Sequence, residues 1–574
     1  MARSLFEGAP TIMPERAARR AGAERDGVAS AAMLGLMQDV PLALTHFLDR
    51  AERLFPAKEV VTASPSGVER LAYGEWAGRT RRLAGALADL GLSDDARVGT
   101  FAWNTSRHLE LYFAAPCSGR VLHTLNIRLF ADQLTYIVNH AEDEAIFVDR
   151  SLAATLWPLL PTFETVRHVV VMDDGAGEVP DAAPAGIETY DYEELLGSAS
   201  PAELAIDDEN RAASMAYTSG TTGQPKGVVY SHRSIYLHTL GVMAADAIAT
   251  SETDVILPVV PMFHANAWGL AHAGVAVGAT LVMPGADLSP KAIADLIETE
   301  RVTLPAGVPT IWMGVLDELD GRDVSSLRAV KCGGSAVPSS LSEAYRERTG
   351  VPITQAWGMT ETSPVASLCH VKSYLRDDSD DALAERRATV GLALCGVDFR
   401  VIDPATGEAV PWDGESTGEL QVAGPWVCAS YYLDDTPDSF TEDGWLRTGD
   451  VAAVDAEGYL RLVDRTKDLV KSGGEWISSV GLENEIMAHP KVAEAAVIGV
   501  AHPKWQERPL ACVVPVEGEQ PTSDEILDFL SGRVAQWWLP DDVVFIDEVP
   551  KTSVGKFSKR QLRDRFADYE LPTA

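Results

Sequence analysis

The segment Tyr217-Thr218-Ser219-Gly220-Thr221-Thr222-Gly223-Gln224-Pro225-Lys226-Gly227 packs three glycines, four Ser or Thr hydroxyls and a lysine into eleven residues. Glycines let backbone N–H groups approach an anion closely, hydroxyls add donors, and Lys226 contributes a point charge. Polyphosphate is the ligand such a loop suits. It is not the nucleotide P-loop, because G-x-x-x-x-G-K-[ST] needs Gly-Lys-Ser/Thr and the chain has Pro225-Lys226-Gly227. Val228-Val229-Tyr230 reads as a strand and Ser231 as a helix cap, so the loop joins two strands. Taken alone, a flexible Ser/Thr/Gly linker is the competing reading.

The rest of the chain bounds the class. With 574 residues it exceeds one ordinary domain. Lys plus Arg total 48 against 84 Asp plus Glu, a net charge of −36, and a surface that acidic disfavours nucleic-acid binding. The six cysteines are scattered, with no C-x-x-C, which fits a reducing cytoplasm and excludes a zinc ribbon. The longest apolar stretch, Trp268 to Met283, is shorter than the roughly 20 residues of a membrane span and reads as buried helix and strand. Residues 1–32 lack an apolar core and read as a disordered extension. From about residue 41, helical spacing ("LTHFLDRAERLF", "WAGRTRRLAGALADLGL" ending at Gly91) alternates with buried strands ("DEAIFVD", "RHVVVMD", "ATLVM", "VTLPAGVP"). That alternation predicts layered α/β structure. A compact strand–helix pattern closes the chain, with a boundary expected near Lys467: a large domain over 33–466 and a small α+β domain over 467–574.

Further segments follow in order: "CGGSAVP" (332–338), "QAWGMTE" (355–361), "STGELQVAGP" (416–425), "WLRTGD" (445–450), "GYLRLVDRTKDLVKSGGEWIS" (458–478) and "PKTSVGKFSKRQLR" (550–563). Together with the loop at 217–227 they resemble the signatures of the adenylate-forming superfamily of acyl-CoA synthetases, firefly-type luciferases and peptide-synthetase adenylation domains. The resemblance covers nearly everything after residue 33. It implies a large ATP- and acid-binding α/β domain, a small mobile α+β domain and a hinge near Lys467. ATP, Mg²⁺ and coenzyme A are the implied cofactor and co-substrates.

Site roles follow from the same resemblance. Thr218, Ser219, Gly220, Thr221, Thr222, Gly223 and Lys226 would cradle the phosphates. Gly333, Gly334 and Ser335 would wall the adenine, where a flat base needs backbone approach, and Trp357 would stack on its other face. Gln355, Ala356, Gly358 and Met359 complete that motif. Thr360 would bond the α-phosphate and Glu361 would hold Mg²⁺ through a hard carboxylate oxygen. Asp450, helped by Arg465, would accept from the ribose hydroxyls. Lys556 would be the catalytic cation, neutralising the approach of a carboxylate to a triphosphate; Lys551 and Lys559 read as ordinary surface lysines. Lys467 matches the hinge, and Lys471, Gly473, Gly474, Glu475 and Trp476 the stretch that admits the pantetheine thiol.

The acid should lie against "VVPMFHANAWGLAHAG" (259–274). Amino-acid-activating relatives place an acidic residue here, and none occurs, so an α-amino acid is disfavoured. His264 matches a residue near the substrate carboxylate, with a satisfied core histidine as the competing reading. "FHANAWG" resembles medium- and long-chain fatty acyl-CoA synthetases, a group that includes 3-methylmercaptopropionate–CoA ligases, in which the tryptophan, here Trp268, can gate the acyl tunnel. The expected function is AMP-forming acid–CoA ligation of a medium- or long-chain fatty acid. The alternatives are 3-methylmercaptopropionate or another short or aromatic acid, an acyl-AMP ligase loading a carrier protein, and a degenerate binding scaffold. Relatives of this type often form homodimers through the large domain.

Overall fold

The computed structural model describes residues 36–180, 183–218, 224–434, 437–472, 475–551 and 557–573. The expected extension over 1–32 lies outside them. Among the described residues two sheets dominate the first two thirds of the chain. One has seven strands, in the order Glu188–Asp191, His168–Met172, Asp143–Asp149, Arg97–Phe101, Val121–Thr124, Ala212–Tyr217 and Gly227–Ser231. All its pairs are parallel except the last, where Ala212–Tyr217 and Gly227–Ser231 run antiparallel and so carry the glycine-rich loop between them, as its sequence predicts. The other has nine, with parallel strands from Glu59–Ser64 through Thr280–Met283, Val255–Pro258, Leu304–Gly307 and Val330–Cys332 to Ile353–Gly358. Antiparallel strands close both of its edges.

Helices fill the space between these sheets. Tyr73–Asp89, Ser106–Cys117 and Leu270–Val277 contribute Trp76, Leu83, Leu109, Tyr112, Phe113 and Leu270 to one core, with Val98, Phe147, Ile256 and Leu281 from the strands. In Ser106–Cys117 every residue except Arg107 is buried, as a helix covered on all sides requires. A second core lies on the far face of the nine-stranded sheet, where Trp312, Tyr345 and Cys332 pack under flanking helices. This is the layered α/β architecture that the helix–strand alternation predicts. Among the described residues no helix is long and apolar enough to cross a membrane.

A four-stranded antiparallel sheet follows, Asp398–Ile402, Gly418–Ala423, Leu446–Val454 and Leu460–Arg465. Beyond it a five-stranded sheet is built on the long hairpin Val492–His502 and Gln506–Pro515, with its own apolar clusters. Ser478 caps the helix Ser479–Met487 that packs on this last sheet, its side chain accepting from the Gly481 N–H.

Lys559 departs from its sequence reading. It is 8% exposed rather than a surface residue, with Nζ 2.8 Å from Glu483 Oε1 and donating to Ser479 Oγ at 2.5 Å. Ser479 in turn donates through N–H and Oγ to Asp464 in the preceding sheet. Burial alone would lower the Lys559 ammonium, but Glu483 and Asp464 outweigh it and hold the group charged. Lys551, by contrast, is exposed and pairs with Glu494 as a surface lysine does. Removing one partner of a buried pair strands the other charge. Lys559→Met should therefore lower unfolding free energy by about 3–5 kcal/mol, and adding Glu483→Gln should recover much of that loss, measured by urea denaturation. Equal stability of the wild type and the single variant would refute the pairing.

Candidate functional site

The carboxyl ends of the parallel strands of the nine-stranded sheet carry the site, the edge at which open α/β sheets bind ligands. Val330–Cys332 delivers Gly333, Gly334 and Ser335, with Gly334 at φ +87° and Ser335 exposed. Gly333 has no room for a side chain: a Cβ would stand 2.9 Å from the Ala356 carbonyl oxygen and 3.2 Å from Trp268 Cη2. The neighbouring strand Ile353–Gly358 brings Gln355, Ala356, Trp357 and Gly358, and Gln355 Oε1 accepts from the Val337 N–H at 3.3 Å, tying the two motifs together. Gly358 is required because a Cβ would overlap the Pro364 carbonyl, which also accepts from the Met359 N–H at 3.1 Å.

Trp357 is buried, and its indole N–H donates to Asp450 Oδ2 at 2.9 Å. The other carboxylate oxygen of Asp450 lies 2.6 Å from Arg465 Nε. Strand register explains this pair, since Asp450 and Arg465 are direct partners across the hairpin Leu446–Val454 and Leu460–Arg465. The Asp450 charge raises the Arg465 guanidinium above its already high range. Trp357, Asp450 and Arg465, drawn from three sequence motifs, thus form one hydrogen-bonded line.

Thr360 and Glu361 sit on a short turn, Thr360–Thr362, both buried. Tyr230, from the strand after the glycine-rich loop, fixes that turn by donating to the Thr360 carbonyl at 2.8 Å. Burial raises the Glu361 carboxyl above its ordinary range, a shift the Tyr431 hydroxyl opposes by donating to Oε1 at 2.7 Å. The face of the Tyr431 ring lies 4.7 Å from Lys226 Nζ, which is also 3.7 Å from Asp434 Oδ2. Lys226 and Glu361 therefore share one bridging tyrosine. Thr218 stands at the root of the loop, its N–H donating to the Lys226 carbonyl at 2.9 Å and its hydroxyl accepting from the Lys226 N–H. Ser219, Gly220, Thr221, Thr222 and Gly223 lie outside the described residues, as do Gly473, Gly474 and Lys556.

The apolar segment is held from below. Asn104 Nδ2 donates to the carbonyls of Pro258 and Val260, and its Oδ1 accepts from the Met262 N–H at 2.7 Å. After His264 the chain makes a left-handed turn in which Ala265, Asn266, Ala267 and Trp268 all have φ between 40° and 57°, a conformation costing roughly 1–2 kcal/mol per residue. It presents Trp268 against Gly333. The His238 ring stands where a side chain on Gly269 would, its Nε2 accepts from the Val365 N–H at 3.1 Å, and burial lowers its pKa to about 3, so the ring stays neutral.

The structure thus brings together Thr218, Lys226, Trp268, Gly333, Trp357, Thr360, Glu361, Asp450 and Arg465. Lys467 is exposed just after Arg465. Lys471 and Trp476 lie apart, on the small hairpin Val470–Ser472 and Glu475–Ile477, where the Lys471 ammonium is 5.2 Å from the centre of a Trp476 ring that is 48% exposed. The sequence reading missed Tyr431, Asp434, Asn104 and Tyr230. Tyr431 and Asp434 sit in a stretch with no phosphate-loop or metal pattern, and Asn104 resembles any polar residue between a strand and a helix.

The model of the AMP-binding enzyme family matches residues 48–432, and that of the AMP-binding enzyme C-terminal domain matches 481–556. The chain is a member of the AMP-binding enzyme family. It is 48% identical to a long-chain-fatty-acid–CoA ligase of Thermus thermophilus, over 93% of this chain and 97% of that protein. It is 44% identical to a 3-methylmercaptopropionyl-CoA ligase of Ruegeria lacuscaerulensis, over 93% and 99%. Among solved structures, ATP-bound MatB from Rhodopseudomonas palustris superposes with a TM-score of 0.78 at 28% identity, covering 92% of this chain and 99% of that one.

Loss of a hydrogen bond to a charged group costs about 1.5–3 kcal/mol, so Tyr431→Phe should raise the KM for ATP about tenfold or more. Steady-state kinetics with ATP varied at fixed Mg²⁺ checks this, and an unchanged KM counts against the bridge.

Proposed function

We propose that this AMP-binding enzyme is an AMP-forming acid–CoA ligase acting on a medium- or long-chain fatty acid. The observation that carries the reading is the joining of two lines of contact at one strand edge: Trp357–Asp450–Arg465, and Lys226–Tyr431–Glu361. The first suits a nucleoside, with an aromatic face beside a carboxylate that accepts from ribose hydroxyls. The second suits its phosphates, with a cation and a hard oxygen ligand held a tyrosine apart.

In the first half-reaction a carboxylate oxygen of the acid attacks the α-phosphorus of ATP, and the bond to pyrophosphate breaks. Lys226 and Thr218 orient the phosphates, Thr360 meets the α-phosphate, and His264 lies beside the acid's carboxylate. The Glu361 carboxylate, buried and held at one oxygen, fits a metal otherwise ligated by phosphates and water. Mg²⁺ held there would supply charge neutralisation on the triphosphate. Lys556, by its motif, adds the cation that offsets repulsion between two anionic reactants. In the second half-reaction the CoA thiol attacks the acyl carbon and AMP leaves with its electron pair. We place the hinge between the half-reactions at Lys467, dividing the large domain from 467–574, and the thiol's path along Lys471–Trp476.

The activities for which the two relatives are named support the acid class, and the subgroup resemblance of "FHANAWG" adds a medium-chain acid. The segment 259–274 is almost wholly buried and carries no carboxylate to pair an α-ammonium, which supports an acid without that group. A 3-methylmercaptopropionate or aromatic acid, and transfer to a carrier protein, are the second readings. The cysteines among the described residues are all unpaired, which supports a reducing, cytoplasmic setting. A homodimer through the large domain belongs to the same reading.

Carboxylic acids from C3 to C18, with sulfur-containing and aromatic members, should be assayed with ATP for pyrophosphate release, with and without CoA. Fatty acids are expected to give AMP and acyl-CoA in equal amounts. Pyrophosphate release with no CoA consumed across the panel would favour carrier loading. Lys556→Ala is expected to abolish adenylate formation while sparing CoA transfer from supplied acyl-adenylate; equal loss of both steps contradicts its role.

A further inference from the structure

Apolar packing stops at the proposed hinge. Among the described residues, the core between the two large sheets takes in nothing after Leu462, and the two clusters of the last sheet take in nothing before Val470. Hydrogen bonds cross instead. Between described residues, those that pass Lys467 outside the hinge turn itself all run from Ser478 and Ser479 to Val463 and Asp464.

Asp464 and Arg465 are neighbours on the strand Leu460–Arg465, so their side chains leave on opposite faces. Arg465 turns to Asp450 in the nucleoside line, and Asp464 turns to the first residue of the helix Ser479–Met487. Its Oδ2 accepts from the Ser479 N–H at 2.6 Å and from the Ser479 hydroxyl at 2.5 Å. A carboxylate there satisfies an N–H that the helix cannot pair, and it faces the positive end of the helix dipole. The same hydroxyl accepts from Lys559, which Glu483 also holds, and Glu483 Oε1 accepts from the Val497 N–H at 2.7 Å in the long hairpin. All four side chains, Asp464, Ser479, Glu483 and Lys559, are buried. Lys559 opens the helix Lys559–Arg565 and stands three residues after Lys556 in sequence. One line of buried polar groups therefore joins the strand of Arg465 to the helix that follows Lys556.

We propose that Asp464 and Ser479 are positioning residues for adenylation: their contact holds the small domain, which carries Lys556, in the orientation of the first half-reaction, and it opens when that domain turns at Lys467. Asp464 lies before the hinge and Ser479 beyond it, so a turn there breaks both hydrogen bonds. The stretch assigned to the thiol, Lys471–Trp476, stands apart from the site in this orientation, which therefore suits the step before thiol attack. With no apolar cluster shared across the hinge, a few hydrogen bonds bias the orientation and can still release it. This rests on the two-step ligase reading and its hinge, and names the contact that sets the balance between the steps.

Single-turnover pyrophosphate release measures the first half-reaction, and thioester formation from supplied acyl-adenylate and CoA measures the second. Asp464→Ala should slow the first by about tenfold or more, the weight of hydrogen bonds to a charged group. The KM for ATP should stay near its wild-type value, and the second half-reaction should be undiminished. Asp464→Asn, which keeps an acceptor for Ser479, should fall between the two. Release of the contact also frees the hinge, so trypsin should cut Asp464→Ala after Arg465 or Lys467 about tenfold faster than the wild type. Equal slowing of both half-reactions in both variants, or hinge cleavage at the wild-type rate, overturns this proposal while leaving the ligase reading intact. A wild type that releases no pyrophosphate with any acid overturns both.

Discussion

Charge balance in the proposed nucleotide cleft is the constraint on which the rest of the site depends. The chain carries a net charge of −36, and the cleft holds Glu361, Asp450 and Asp434, yet its reactants are a carboxylate and a triphosphate. The arrangement resolves this locally. Each carboxylate is committed before a ligand arrives: Asp450 to Arg465 and the Trp357 N–H, Glu361 to Tyr431, Asp434 to Lys226. Those of Asp450 and Glu361 are made through hydrogen bonds, so they persist where bulk screening would weaken a surface pair, whereas Asp434 and Lys226 stand 3.7 Å apart as an ion pair. Tyr431 is the economical element, because its hydroxyl serves the Glu361 carboxylate while its ring faces the Lys226 ammonium.

This balance depends on strands that meet only in the folded chain. Asp450 reaches Arg465 because a hairpin puts them in register, and Trp357 reaches Asp450 across 93 residues of sequence. Thr360 is fixed from Tyr230, 130 residues earlier, on the strand that leaves the glycine-rich loop. The loop's exit strand and the Thr360 turn are thereby one mechanical unit.

The motif segments were legible because each is local, and their roles toward polyphosphate and nucleoside were read from the family resemblance; that Trp357, Asp450 and Arg465, from three of them, meet in one hydrogen-bonded line is what folding adds. The helix–strand alternation was legible for the same reason, since periodicity is local. Tyr431 and Asn104 were not, because their roles are defined by partners 70 and more residues away, and neither carries a pattern of its own. Lys559 was misread for a related reason: lysines are mostly exposed, and nothing near it in sequence discloses that Glu483 and Ser479 wait in the core. The left-handed turn at Ala265–Trp268 was equally hidden, since no glycine within it announces positive φ.

That turn and the strand Val330–Cys332 together show how one edge serves two substrates. Gly333 has Trp268 on its inner side and the Ala356 carbonyl beside it, with no space for even a methyl group. The apolar segment and the Gly333–Ser335 turn, the proposed adenine wall, thus approach each other through a single residue without a side chain, and the left-handed turn at Ala265–Trp268 is the strained partner of the two.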